Sequence, residues 1–388
     1  MTSPLTGSAP ARQHDVDWLR VLAVLSLFVL HAAYPFDPFP WHIKSPQQSH
    51  AFWFLIAFLN EWNMPLFFLL SGVGTWFALG FRSGGQYVRE RFRRLALPLL
   101  FGLLLIAPPQ AYYEQMQRGQ FAGSLPAFYP HYFQTAYLQG NVGLYNLWFL
   151  LYLFAFSLIA LPLLIGLRRA AGRRVIDRLA TLAEKRGAIL LFGLPLALSE
   201  MLLRGSWPDH RGALLADWAN VVFWLGFFLF GYLFAADARF GQAAERHRRA
   251  ALGLGSATML LLYALWLTAA ASGGASGPTY AVEQAVHGFN VWFWVVGFLG
   301  LGRRYLNFTN TLLRYASEAA LPVYILHQMA IIAVGFYVVA WDVPLVVRYV
   351  VLLVGGFALT LGLYEAIRRF NVTRFLFGLK PLKQTPGS

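Results

Sequence analysis

The chain has 388 residues, of which 58% are hydrophobic and only 12% are charged, and it contains no cysteine. A water-soluble domain carries about a quarter charged residues, so this composition excludes an ordinary soluble fold, and the lack of cysteine excludes disulfides and thiolate chemistry. The formal net charge is +14, but the basic residues form short clusters between apolar stretches. This pattern is typical of membrane topology signals, so we expect a lipid bilayer and no nucleic acid as the partner.

Apolar stretches of spanning length recur along the whole chain. Crossing the ~30 Å hydrocarbon core takes about 20 helical residues, and about ten stretches satisfy this length. They lie at 17–35, 52–80, 95–112, 146–167, 188–203, 218–236, 251–271, 285–301, 315–339 and 345–367. The predicted fold class is therefore all-α, a polytopic membrane helix bundle. We expect a single domain over 1–388, with 1–16 and 380–388 as flexible cytoplasmic tails and the first stretch retained rather than cleaved as a signal peptide.

The basic residues also predict the orientation of the bundle. Most of the 31 Lys and Arg residues fall in alternate connecting segments, at 82–94, 168–186, 239–249, 303–314 and 368–383. Positive charge concentrates in cytoplasmic segments, so both termini are predicted in the cytoplasm and the protein in a bacterial inner membrane. The one long outer segment, 113–145, is expected to be a loop. With no sizeable extramembrane domain, any chemistry is expected inside the bundle or at its rim.

Three ionisable residues, Asp17, Arg20 and His31, lie in the first predicted span. Ionisable groups are costly in a bilayer, so each is a functional candidate. Arg20 and His31 are eleven positions apart, which is about 16 Å along a helix and close to one face. The structural alternatives are that Arg20 snorkels to the interface, His31 bonds a neighbouring helix and Asp17 is a helix N-cap.

Other polar residues lie in or near later spans. His327 is near mid-depth in the ninth, where a core histidine with a satisfied hydrogen bond is one interpretation. No two of the nine histidines have the close spacing of an HExxH motif, so no metal is predicted. Further polar residues without an assigned role are Glu61, Asn63, Glu200 and Glu318.

Five short motifs, in chain order, resemble the acyltransferase-3 family of integral membrane acyltransferases. The first is Arg20, ten residues and His31. The others are FFLLSG at 67–72, RFRR at 91–94, NLWFL at 146–150 and PVYILH at 322–327. Segments 41–45, 306–308, 363–365 and 374–381 resemble members thought to succinylate osmoregulated periplasmic glucans.

The resemblance implies an O-acyltransferase with acyl-CoA as donor substrate and no permanently bound cofactor. It would move an acetyl or succinyl group from cytoplasmic acyl-CoA to a hydroxyl of a periplasmic or exported glycan. His31 is implied as the general base, because a pKa of about 6.5 suits proton removal near neutral pH. Asp17 is implied to assist it, either by positioning the first helix or by pairing with a basic residue at the cytoplasmic mouth. Arg20, Arg91 and Arg94 are implied to bind the polyanionic coenzyme A. The alternative for Arg91 and Arg94 is that they are ordinary positive residues of a cytoplasmic segment.

Four more residues are candidates for substrate binding. Trp148 and Tyr324 line a channel or pack as membrane aromatics, and His327 orients a substrate or is a core histidine. His42, in the first outer loop, is placed to meet a sugar. Two other functions stay open: the same fold acylating a lipid, an O-antigen or a small metabolite, and a transporter or flippase, although Gly/Pro-broken helices in matching halves are not evident.

Overall fold

The computed structural model describes residues 13–139, 143–209, 214–272, 274 and 277–382. These ranges contain helices and no strand, which confirms the all-α class. The tail segments 1–12 and 383–388 lie outside the described residues. The first helix begins at His14, so residues 14–16, predicted as tail, belong to it.

The helices vary widely in length, from single turns to segments longer than a bilayer is thick. In chain order they are α1 (His14–Ala33), α2 (His50–Ala78), α3 (Gly84–Arg91), α4 (Leu97–Leu105), α5 (Ala107–Gln117), α6 (Leu125–Gln139), α7 (Trp148–Ile159), α8 (Leu161–Leu167), α9 (Ala170–Glu184), α10 (Ala188–Leu191), α11 (Leu194–Leu203), α12 (Trp218–Ala236), α13 (Ala238–Ser272), α14 (Gly277–Tyr305), α15 (Thr311–Val338), α16 (Leu345–Ile367) and α17 (Asn371–Leu376).

Within the described ranges, eight segments are long and apolar enough to cross a membrane, and two bent helix pairs raise the number to as many as ten. The pairs are α7 with α8, bent by 52°, and α9 with α10 and α11, bent by 118°. Pro162 at the start of α8 and Gly187 before α10, with φ of +79°, account for the breaks. The predicted number of spans is confirmed.

The predicted outer loop at 113–145 is wrong for most of its length. Helix α5 continues to Gln117 and α6 occupies Leu125–Gln139, while residues 140–142 lie outside the described part. The aromatic residues expected in a loop form a small core instead, in which Phe128 and Tyr132 pack on Ala107 and Ala111. A segment rich in polar and aromatic residues therefore forms two packed helices rather than a loop.

Helices α2 and α12 touch backbone to backbone. A Cβ atom added at Gly72 would lie 1.9 Å from the carbonyl oxygen of Phe228, and one at Gly231 would lie 1.8 Å from that of Leu69. Small residues permit such close approach between membrane helices. Gly72, part of the FFLLSG motif, is therefore required by packing.

The two ends of the bundle have different surroundings. Arg20, near the start of α1, and Lys380, near the end of the described chain, line one cavity. We call this end the termini face. The opposite end, where α1 ends at Ala33 and α2 begins at His50, is the far face.

Candidate active site

Two histidines from distant parts of the sequence meet in the bundle. His31 near the end of α1 and His327 in α15 have ring centroids 4.8 Å apart, and His327 Nε2 lies 3.3 Å from His31 Nδ1. His327 is fully buried, whereas His31 is partly exposed. The pairing unites the first and the last of the five motifs.

Backbone carbonyls define the tautomer of each ring. His31 Nδ1 lies 2.9 Å from the Leu27 carbonyl oxygen, and His327 Nδ1 lies 2.6 Å from that of Tyr324. A carbonyl only accepts, so in both neutral rings we assign the hydrogen to Nδ1 and the lone pair to Nε2. His31 Nδ1–H then also points to the lone pair of His327 Nε2. A proton taken up at His31 Nε2 would give an imidazolium whose other N–H has two acceptors.

The segment around His327 is held from the side by Asn146. Its side-chain amide donates to the carbonyl oxygens of Tyr324, at 2.8 Å, and Ile325, at 3.3 Å. In return the Tyr324 hydroxyl donates to the Asn146 carbonyl oxygen. The sequence indicated Asn146 only as part of the NLWFL motif. Its role in holding the His327 segment depends on a contact across 178 positions, which sequence spacing does not reveal.

A cavity of about 420 Å³ opens at the termini face. Five cationic side chains and two carboxylates line it, and its lining also includes Tyr324, whose ring lies 5.7 Å from His327. The charged residues are Arg20, Arg82, Arg91, Arg94, Lys380, Glu90 and Glu318. We call it the cationic cavity. It brings together all three predicted donor-binding arginines, and Arg82 and Lys380 are additions that sequence reasoning missed.

Each of the three predicted arginines of the cavity has structural support. Arg20 pairs with Asp17 at 3.2 Å, one turn away on α1. Arg91 donates to the Thr75 hydroxyl at 3.2 Å, and Arg94 pairs with Glu90 at 3.6 Å. Arg94 lies in a π-helical turn, Phe92–Ala96, of a kind that is frequent at functional sites.

Asp17 supports Arg20 rather than the helix end. The N-cap position of α1 is Gln13, and Asp17 lies inside the helix and is buried. The N-cap interpretation of Asp17 is therefore wrong, because the N-cap lies four residues earlier, at Gln13.

Trp148 lies outside the lining of the cationic cavity. Its indole stacks on Trp224, with centroids 4.7 Å apart, and contacts Phe68. The described contacts of Trp148 are thus packing contacts between α7, α12 and α2.

His42 lies at the far face, near His31. Its Nδ1 is 2.6 Å from Glu114 Oε2, which couples the first outer loop to α5. The neighbouring Trp41 stacks on Tyr34, with centroids 5.3 Å apart, and its ring lies 6.3 Å from His31. An aromatic and polar surface therefore surrounds His31 from the far face.

An ion pair between the buried Asp37 and the partly exposed Lys44 fixes the loop that carries these residues. The Lys44 ammonium lies 2.7 Å from Asp37 Oδ1 and also donates to the Tyr34 carbonyl oxygen at 2.6 Å. Burial raises the pKa of Asp37, and Lys44 offsets part of that rise. Among the described residues, no group of three or more His, Asp or Glu side chains is arranged to hold a metal ion.

These features define a polytopic membrane protein with a buried histidine pair beside a cationic cavity. The sequence profile of the acyltransferase domain matches residues 13–365, nearly the whole chain, so the chain belongs to the acyltransferase-3 family. The predicted resemblance is confirmed, and the protein is a membrane acyltransferase.

Relatives with known names agree with this assignment. The chain is 23% identical to glucans biosynthesis protein C of Salmonella schwarzengrund over 395 residues, which covers 97% of this chain and 98% of that relative. The namesakes in Salmonella heidelberg and Salmonella typhimurium are also 23% identical, the latter over 391 residues, with 96% and 97% coverage. No solved structure matches the chain.

Proposed function

We propose that the protein is an inner-membrane O-acyltransferase that transfers an acetyl or succinyl group from cytoplasmic acyl-CoA to a hydroxyl of a periplasmic or exported glycan. Both termini lie in the cytoplasm in this proposal, because the basic segments concentrate at the termini face. The names of the relatives refer to glucans, and with the resemblance of the sequence motifs they make osmoregulated periplasmic glucan the first acceptor to test. The proposal rests chiefly on one observation, the His31–His327 pair beside the cationic cavity.

The cationic cavity is proposed to bind the donor. Coenzyme A carries several phosphate charges, and guanidinium groups bind phosphate through paired, charge-assisted hydrogen bonds. Arg20, Arg91 and Arg94 supply such groups, and Lys380 adds an ammonium. The acyl thioester would extend past Phe149 toward Tyr324, the part of the lining next to His327.

His31 is proposed as the general base of the transfer. An acceptor hydroxyl oxygen attacks the thioester carbonyl carbon while its proton passes to His31 Nε2. The carbon–sulfur bond then breaks, and the departing thiolate takes the proton back from the imidazolium, which leaves an ester and free coenzyme A. Leu27 and His327 orient the ring and accept from its Nδ1–H throughout.

The acceptor is proposed to reach His31 from the far face. Trp41 and Tyr34 offer aromatic surfaces beside the ring, and His42 with Glu114 offers hydrogen-bonding groups. Donor and acceptor would then meet at the histidine pair from opposite ends, so neither substrate needs to cross the bilayer.

The test is mass spectrometry of periplasmic and surface glycans from cells that lack this protein. We expect an O-acyl mass to return with the wild-type gene and not with His31→Ala at equal protein level. The mass difference names the acyl group. Full restoration by His31→Ala would overturn the role of His31, and unchanged glycans would overturn the glycan as acceptor.

A further inference from the structure

A second cavity, of about 270 Å³, lies at the far face. It is bounded by α2, α12, α13 and α14 and by the end of α11, and its lining shares no residue with that of the cationic cavity. Four carboxylates, one arginine and one histidine line its described wall: Glu61, Glu200, Asp209, Glu283, Arg204 and His287. We call it the far cavity. The site described above uses none of these residues.

The charged groups of the far cavity, except Glu283, are joined in one partly buried network, to which Asp209 is linked through Asn220. His287 Nδ1 lies 3.0 Å from Glu61 Oε2, and His287 Nε2 lies 4.0 Å from Glu200 Oε2. Arg204 donates two hydrogen bonds of 2.9 Å to the Glu200 carboxylate and one of 2.8 Å to the Asn220 side-chain oxygen. Buried charges in a membrane protein are costly and mark functional sites by default.

One N–H donor of this network, on the Arg204 guanidinium, makes no hydrogen bond to the described residues. Arg204 is 7% exposed, and its Nη1 has no hydrogen-bond partner among the described residues. Asp217 Oδ1 lies 3.8 Å from Arg204 Nη1, which exceeds hydrogen-bond length. A buried guanidinium N–H without a partner is available to a ligand oxygen.

Aromatic rings form the rest of the wall. Trp266 is held by a hydrogen bond of 2.9 Å from its Nε1 to Glu283 Oε1, and Tyr280, Phe223 and Trp224 also line the cavity. Flat aromatic faces suit the C–H faces of a sugar ring, and carboxylate and guanidinium groups suit its hydroxyls. The excess of carboxylates disfavours an anion.

We propose that the far cavity binds an uncharged sugar unit of the acceptor glycan. Asn60 lines the cavity, and its amide donates to the Tyr34 hydroxyl at 3.0 Å, while the Tyr34 ring lies 5.7 Å from that of His31. The cavity is thus one pair of side chains away from the histidine pair. It holds a unit next to the one that is acylated. This inference rests on the proposed function, since it names the acceptor as a neutral saccharide.

The experiment measures binding of two oligosaccharides to the purified full chain by calorimetry, without donor. One probe is a neutral glucose oligosaccharide, and the other is the same compound with one glucose oxidised to a uronate. We expect the neutral compound to bind at least about fivefold more tightly. Trp266→Ala should weaken its binding roughly tenfold, whereas Trp341→Ala, an exposed tryptophan at the same face, should not.

Glu283→Gln provides a second variant that keeps the oxygen acceptor of Trp266. Glu283→Gln should reduce the difference in affinity between the neutral compound and the uronate. Asp342→Asn, which removes an exposed carboxylate at the same face, should leave that difference unchanged. Equal affinity for both probes, or unchanged binding by both Trp266→Ala and Glu283→Gln, would overturn the inference.

Thermal stabilisation by acyl-CoA, measured on the same samples, separates the two proposals. If acyl-CoA stabilises the protein but sugar binding ignores the far-cavity variants, the far cavity is not the sugar site and the donor proposal stands. If sugar binding depends on Trp266 but acyl-CoA has no effect, the donor proposal fails and the sugar site stands.

Discussion

The two cavities of the bundle have opposite electrostatic character. The cationic cavity at the termini face has five cations against two carboxylates, whereas the far cavity has four carboxylates against one arginine and one histidine. In our proposals each cavity binds a different kind of ligand, a polyanionic thioester and a neutral saccharide. On these proposals one helix bundle separates two substrates by charge as well as by membrane side, with the histidine pair between them.

Loss of the base should give the largest effect. In the purified protein, His31→Ala should lower the acyl-transfer rate about 100- to 10,000-fold, because it removes the proposed general base at the proposed meeting point of the two substrates. Acyl-CoA should still raise the midpoint of thermal unfolding, since the arginines are intact. A variant that loses donor binding and transfer together would assign His31 to the donor site instead.

Neutralising the cationic cavity should weaken the donor selectively. Arg91→Ala should raise the dissociation constant for acyl-CoA tenfold or more, by roughly the value of one charge-assisted hydrogen bond. Arg314→Ala, which removes an exposed arginine at the same face outside the cavity lining, is the matched control. Equal effects of the two variants would mean that the general surface charge, rather than the cavity, attracts the donor.

The backbone contact between α2 and α12 links the two cavities, because both helices contribute to the far cavity and α2 also lines the cationic one. Gly72→Ala should cost about 1–3 kcal/mol of stability through overpacking. Gly74→Ala, two residues along the same helix, has nothing within 4 Å of the added Cβ and should be neutral. Thermal unfolding of both variants measures the difference, and equal midpoints would argue against the close contact.

The smallest effect concerns pH and the far-face loop. Because burial raises the pKa of Asp37 above its ordinary 3.8, the folded state holds this proton more tightly than the unfolded state. Its contribution to stability is therefore full below pH 3.8, falls as the pH rises to the raised folded pKa, and is constant above it.

Asp37→Asn should remove that decline, whereas Asp342→Asn on the same face should retain it. Thermal midpoints measured in steps from pH 4 to 7 test this sign. If the wild type instead gains stability relative to Asp37→Asn as the pH rises over the lower part of this range, the attraction of Lys44 outweighs the effect of burial on the Asp37 pKa.

The spans could be predicted because spanning length and apolar composition are local properties of the chain. The presence of Arg91 and Arg94 in one site could be predicted because a single short motif contains both. The pairing of His31 with His327 was beyond sequence reasoning, since it depends on how α1 packs against α15. Glu61 and Glu200 were recognised as polar residues in spans, but their shared partner His287 lies on a third helix, so no spacing pointed to the far cavity.

Donor and acceptor are proposed to reach the histidine pair from opposite faces. Proteoliposomes with acyl-CoA outside and a neutral oligosaccharide inside test it directly, even when the protein inserts in both orientations. We predict acyl transfer in this arrangement and little when both substrates are outside. Equal transfer with both substrates on the same side would contradict the account.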